Sequence, residues 1–243
     1  MIIKSIFRNF LRKFGKDLVG FDPRFNPQAR KLHLLQRFHN SVLLDVGANI
    51  GQFATWAQGN GWKGEIHSFE PGAKAFKHLL MASEHSNTWH AHCLALGEGI
   101  SEISMNISSD SFSSSLLSPT QANIAAHKGV RSEFEETVKM STMDHFAKTH
   151  GLSNTPLVVK IDTQGYESQV LAGGSLALQH TSLLIVELSL KELYSGQRLF
   201  HEVLPQLMAM GFYPTILEPC DEDYRRLELL QVDVWFLKTN AYA

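Results

Sequence analysis

Val42-Leu43-Leu44-Asp45-Val46-Gly47-Ala48-Asn49-Ile50-Gly51 is an apolar run that stops on an acid and then opens into a glycine-bearing turn. Three further apolar runs end at Glu70, Asp162 and Glu187. A strand covered on both faces of a parallel sheet reads as a continuous hydrophobic run, and open α/β sheets bind ligands beyond the carboxyl ends of such strands. The four carboxylates are therefore expected along one ligand-binding edge.

Working outward, Gln28 to Phe38 reads as a helix after a link punctuated by Pro23 and Pro27. From Ile50 to Gln58, Phe53, Trp56 and Ala57 fit one helical face, and Gly59-Asn60-Gly61 is a strong stop. Glu65 to Glu70 reads as a second strand, Pro71 sits where a helix start tolerates it, and a helical run continues through Met81. Trp89 to Leu96 reads as a third strand. This βαβαβ order predicts a parallel sheet with right-handed crossovers.

Further along, Ile100 to Ile107 alternates apolar with polar residues and is expected to be an added strand or hairpin arm. Composition makes Ser108 to Ser118 a surface loop, although loops of that length inside a compact domain often serve as lids. Val138 to Met140 reads as a short strand, Met143 to Lys148 as a helix, and Leu157 to Asp162 as the clearest buried run of the second half. The turn Thr163-Gln164-Gly165 then leads into a helix ending at Ala172. Strands are expected at Leu183 to Leu188, Phe212 to Leu217 and Val232 to Leu237, with a helix from Leu199 to Met210. There is no internal repeat and no second core. The expectation is one doubly wound α/β domain over residues 41–243, preceded by a helical extension over residues 1–40.

Composition narrows the function classes. A formal net charge of -2 over 243 residues gives no global attraction to nucleic acid, and the main body has no basic and aromatic stripe. Cys93 and Cys220 are too few for a disulfide framework, and no secretory leader pattern follows the N-terminus, so a cytoplasmic protein is expected. No apolar stretch approaches the ~20 residues that span a bilayer. Within residues 1–16, Ile3, Ile6, Phe7, Phe10, Leu11 and Phe14 recur at helical spacing among basic residues with no acid. Such a helix can lie in a membrane interface, but amphipathic helices mostly bury their stripe against protein, and docking on its own domain ranks first.

The first turn discriminates between ligands. A dinucleotide fingerprint reads G-x-G-x-x-G, whereas Asn49 and Gln52 stand where the second and third glycines belong, which would crowd a pyrophosphate. S-adenosylmethionine has no phosphate and is favoured over NAD. Glu70 follows Asp45 by 25 residues, close to the ~20-residue offset at which an acid binds a ribose diol. Its alternative role is to cap the helix that follows. Asp45 can meet the cofactor's ammonium or brace the turn. Ala95, with Cys93, Leu94 and Leu96, is placed to meet an adenine or to be ordinary core.

Together with Lys160-Ile161-Asp162-Thr163-Gln164-Gly165-Tyr166-Glu167, these residues resemble the FkbM family of S-adenosylmethionine-dependent methyltransferases. The resemblance runs from about Val42 to Leu237, and its KIDTQGYE segment is more family-specific than the first turn. Phe69-Glu70-Pro71, Met143-Asp144, Glu187-Leu188-Ser189 and the segment from Gln231 to Phe236 are supporting echoes. It implies a class I methyltransferase (Rossmann-like) fold with a seven-stranded, mostly parallel sheet. It also implies O-methylation of a sugar, glycan or natural-product hydroxyl, with Asp45, Gly47, Asn49, Gly51 and Glu70 contacting the cofactor.

Methyl transfer to a hydroxyl needs alignment, exclusion of water and a base to take the proton. Asp162 is the first candidate because it ends a buried strand at the ligand edge. Lys160 lies on the same strand face and can hold Asp162 ionised, or be purely structural. Glu187 can bind the acceptor or, with Asp162, a divalent cation, but two oxygen ligands make a weak metal signature and no obligatory metal is expected. The twelve histidines show no zinc-like spacing, and any one could be the base. The competing functions are an NAD-type oxidoreductase on the same sheet and a non-catalytic cofactor-binding module.

Overall fold

The computed structural model describes residues 8, 10–17, 19–109, 113–127, 130, 132–223 and 226–239. Its centre is β1 (Val42–Val46), flanked on one side by β2 (Ile66–Phe69) and β3 (Trp89–His92) and on the other by β7 (Leu157–Ile161) and β8 (Thr181–Ser189), all parallel. The last hairpin, β9 (Phe212–Asp223) and β10 (Glu228–Lys238), adds β10 antiparallel to β8, giving the order β3-β2-β1-β7-β8-β10-β9. The order reverses between β1 and β7, and such a switch point is where an open α/β sheet forms its ligand crevice.

Side chains that alternate along the strands build two cores. Leu44, Val46, Val159, Ile161 and Val186 face α5 (Met143–Thr149), α6 (Glu167–Ala172) and α7 (Phe200–Ala209). Leu43, Ile66, Val158 and Ile185 face α1 (Pro27–Arg37), α2 (Gln52–Gly59) and α3 (Ala73–Ser83). Removing a fully buried leucine such as Leu43 or Leu44 to alanine leaves a void of the kind that costs about 2–5 kcal/mol. α1 starts at an Asn26 side-chain cap with Pro27 in its first turn, buries Leu34 and Leu35, and hydrogen-bonds β9 through Arg30. Part of the expected N-terminal extension is thus packed into the domain core.

Two expectations are corrected. The third strand does not run from Trp89 to Leu96: β3 ends at His92, and β4 (Ala95–Leu96) leaves the main sheet to pair with β6 (Ser132–Ser141). The short strand expected at Val138 to Met140 is the end of that longer β6, which pairs antiparallel with β5 (Ser101–Ser108). Alternation over Ile100 to Ile107 identified β5 but could not reveal its partner. A short α4 (Gln121–Ala126) follows the serine-rich segment. Among the described residues no helix is long and apolar enough to cross a membrane. Residues 1–7 and 9 of the expected amphipathic helix lie outside the described residues; Phe10 and Phe14 are exposed, and Arg8 and Arg12 pair with Asp17.

Beside β2 and β3, His67 stacks on His90 and His92, and His67 Nδ1 lies 3.1 Å from His92 Nε2. Burial, and then the neighbouring imidazoles, hold His67 and His92 down at about 4. Glu65 Oε2 lies 3.7 Å from His67 Nε2, and His150 closes the cluster. The folded rings stay neutral where the unfolded chain takes up protons, so their contribution is full above about pH 6.5 and is lost as the pH falls toward 4. Buried carboxylates with raised pKa shift the other way, so the test is a difference. Between about pH 7.5 and about pH 5, His92→Gln should lose less of its urea midpoint than the unsubstituted chain. Equal losses would refute the assignment.

Candidate active site

A cavity of about 560 Å³ opens over the carboxyl ends of β1, β2, β7 and β8. Its floor begins at the turn after β1. Gly47 has φ +76°, and a Cβ there would stand 1.8 Å from the carbonyl oxygen of Asp162. The close approach of two turns therefore requires glycine here with or without a ligand, and Gly47 also lines the cavity. Gly47 and Ala48 donate their N–H groups to Phe69 O, which ties this turn to the end of β2.

Glu70 stands at the same junction. Its carboxylate accepts from Asn49 N at 3.0 Å and from Gly72 N at 2.8 Å, so it both joins the Gly47 turn and fixes the entry to α3. Burial, partly offset by those N–H groups, pushes it up to about 7. Asn49, at φ +49°, has a buried Oδ1 with no hydrogen-bond partner, and its residue lines the cavity beside Glu70. Phe69, Leu94, Ala95, Leu96 and Met105 form an apolar wall next to them.

Two of the expected contact residues stand elsewhere. Asp45 is fully buried beneath the cavity, accepting from Ser68 Oγ at 3.2 Å, with Lys160 Nζ 3.8 Å from its other oxygen. Its side chain points with the second core because strand alternation separates it from Val46. Gly51 starts α2 against Trp89 and is also absent from the lining.

At the opposite end stand the expected chemical residues. Lys160 Nζ is 3.0 Å from Asp162 Oδ2. Burial would lower this ammonium, but Asp162 and Asp45 together outweigh it and raise it above the usual lysine range. Gln164 Nε2 donates to Asp162 Oδ1 at 3.0 Å and to Glu187 Oε2 at 3.1 Å, while Gln231 Nε2 donates to the same Glu187 oxygen at 2.7 Å. Burial and the charge of Asp162 push Glu187 well above the usual carboxylate range. The arrangement pairs a salt-bridged Asp162 with a Glu187 whose ionised form is disfavoured by burial, a difference set by environment. One possible ligand atom each from Glu187, Cys220 and Asp233 lie within 4.8 Å of one another, a different set from the expected Asp162–Glu187 pair.

Several lining residues gave no sequence signal. Tyr194 O–H donates to Gln164 Oε1 at 2.9 Å, and Ser115 Oγ donates to Gln164 O at 2.6 Å. The serine-rich stretch, where described from Ser113, is thereby packed over the cavity. His127 bridges Asn123 and Asp221 at 2.9 and 3.0 Å, which makes it the histidine that lines the site. Gln164 was visible within the KIDTQGYE segment, but its role depends on Tyr194, which is distant in sequence.

The family profile "Methyltransferase FkbM domain" matches residues 45–214. The hexuronic acid methyltransferase AglP of Haloferax volcanii is 33% identical over 167 residues, which cover 69% of this chain and 64% of AglP. The 2-O-methyltransferase NoeI of Sinorhizobium fredii is 26% identical over 218 residues, which cover 86% of this chain and 88% of NoeI. Among solved structures, TrmK of M. capricolum with S-adenosylhomocysteine has a TM-score of 0.48 at 11% identity, covering 86% of this chain and 68% of that one. Likeness of that degree says nothing about function. The profile match extends over well more than half of the sequence, from the acid of the first turn through β7, β8 and α7 into β9, and on that ground the chain belongs to the FkbM methyltransferase family.

Proposed function

We propose that the protein transfers the methyl group of S-adenosylmethionine to a hydroxyl of a sugar or glycan. The observation that carries this is Asp162, a carboxylate held by Lys160 and Gln164 at the β1–β7 switch point and facing the same cavity as Glu70 and Asn49. The names of AglP and NoeI, which describe methyl transfer to a hexuronic acid and a 2-O position, support a carbohydrate acceptor.

The residues at the Gly47 end fit an adenosyl group. Each oxygen of Glu70 uses one lone pair on a backbone N–H, leaving capacity for two ribose hydroxyls. Asn49 Oδ1 needs a donor, which a ribose hydroxyl or an ammonium supplies. Ala95 and its apolar neighbours offer a slot for a flat base. When bound, the cofactor supplies a methyl group activated by a positive sulfur. The chain's task is then to align the acceptor oxygen, exclude water and take its proton. Asp162, hydrogen-bonded by Lys160, accepts that proton.

Hydroxyl donors favour the ionised form of Glu70, so affinity for S-adenosylhomocysteine should weaken as the pH falls through about 7. Glu70→Gln should weaken binding on the order of ten- to a hundredfold and flatten that pH dependence in calorimetry. Tight NAD binding without S-adenosylhomocysteine binding would transfer the site to an oxidoreductase. For the chemical step, a panel of sugar glycosides incubated with isotopically labelled methyl donor should show transfer. Asp162→Asn should bind cofactor normally and lose about 10²–10⁴ of turnover. Undiminished transfer by that variant removes Asp162 from the mechanism.

A peripheral position on the cytoplasmic face of a membrane is favoured by one observation. Phe10 and Phe14 are 55% and 67% exposed on a basic segment. Full-length protein should float with anionic liposomes and a version lacking residues 1–16 should not; equal flotation removes the membrane from this reading.

A further inference from the structure

Gln164 holds a strained position for a residue with a side chain. Its φ is +54°, in the left-handed region that L residues adopt at a cost of order 1–3 kcal/mol. The strain is held from both sides. Glu167 Oε1 accepts from Thr163 N, Thr163 Oγ1 and Gly165 N at 2.8, 3.1 and 3.1 Å, which folds the turn tightly. Gly165, at φ +100°, has Tyr194 so close that an added Cβ would stand 2.9 Å from the tyrosine Cβ and 3.1 Å from its ring.

This backbone aims one amide at three partners. Its Nε2 reaches both Asp162 and Glu187, and its Oε1 accepts from the fully buried Tyr194. Two carboxylates on the nitrogen side and a phenol on the oxygen side fix which end is which. Tyr194 O–H also lies 3.3 Å from Ser113 O, and Ser115 Oγ is bonded to the Gln164 carbonyl. A continuous path therefore runs from the serine-rich segment over the cavity, through Tyr194, to the two carboxylates.

Resting on the proposed methyl transfer, we propose that Gln164 is a positioning residue that sets the orientation of Asp162 and Glu187 and links it to the seating of the Ser113–Ser115 segment. The amide turns the outer oxygen of Asp162 toward the acceptor, and it keeps Glu187 on the same donor. Loss of Tyr194 O–H frees the amide to rotate.

The test compares Gln164→Met, which keeps the length and removes the amide, with Tyr194→Phe, the double variant and Gln164→Glu. Affinity for S-adenosylhomocysteine should be unchanged in the first three. With the glycoside labelled in the panel, Gln164→Met should lower kcat about 10- to 100-fold with little change in KM. The acid limb of its kcat/KM profile should move up by roughly one pH unit, because an N–H donor to the anionic base is gone. Tyr194→Phe should shift both in the same direction by less, and the double variant should be no worse than Gln164→Met. Gln164→Glu, which keeps the shape but adds charge, should not restore the rate. Hydrogen exchange, which needs no acceptor, should be faster in residues 113–118 for Gln164→Met and Tyr194→Phe alike. An unmoved acid limb, additive losses in the double variant, or unchanged exchange in that segment overturns the proposal. Absence of S-adenosylhomocysteine binding in the unsubstituted chain instead overturns the methyl-transfer reading beneath it.

Discussion

One buried ammonium organises the sheet edge. Lys160 stands between Asp45 on β1 and Asp162 at the end of β7, with its side chain 13% exposed. Taking that charge away alone would leave Asp45 ionised and fully enclosed, and breaking a buried pair in this way typically costs about 3–5 kcal/mol. The carboxylate in the cavity and the one beneath it are thus served by the same cation. The two central strands share a charge network as well as a ladder of backbone bonds.

That network also explains why the neighbouring acids behave differently. Asp162 has a cation at 3.0 Å, whereas Glu187 accepts from two amides and the Cys220 thiol and lies among Asp162, Glu167 and Asp233. Desolvation without a nearby countercharge favours the neutral acid. A row of acidic residues in sequence therefore resolves into distinct roles only when the position of one lysine is known. Glu70 is a third case, raised by burial and brought partly back by two backbone N–H groups.

Much of this architecture was legible in the chain. Continuous apolar runs located β1, β2, β7 and β8, and the acids after them marked the ligand edge because burial on both faces leaves few other places for charge. The departure at Asn49 from a dinucleotide turn was legible too. What escaped was anything assembled across long sequence separations. Tyr194 and Ser115 meet Gln164 from two different loops, and β5 and Ala95 both find their partner in β6, in a second small sheet. Asp45 lies fully buried against Ser68 and Lys160, a depth that its position in the motif does not reveal. Gly47 also has a neighbour that the sequence could not show, the carbonyl of Asp162 in the turn after β7.

The manner in which α1 is seated sets where the molecule can be divided. Asn26 accepts from Ala29 N at 3.1 Å to begin the helix, and Leu34 and Leu35 fill the layer under β1. A cut at residue 40 would strip the sheet of a covering element and bare those strands to solvent. A cut between Asp17 and Asp22 would leave the folded unit whole and detach the basic arm, so the joint between domain and arm lies upstream of the helix rather than at the motif that betrays the fold.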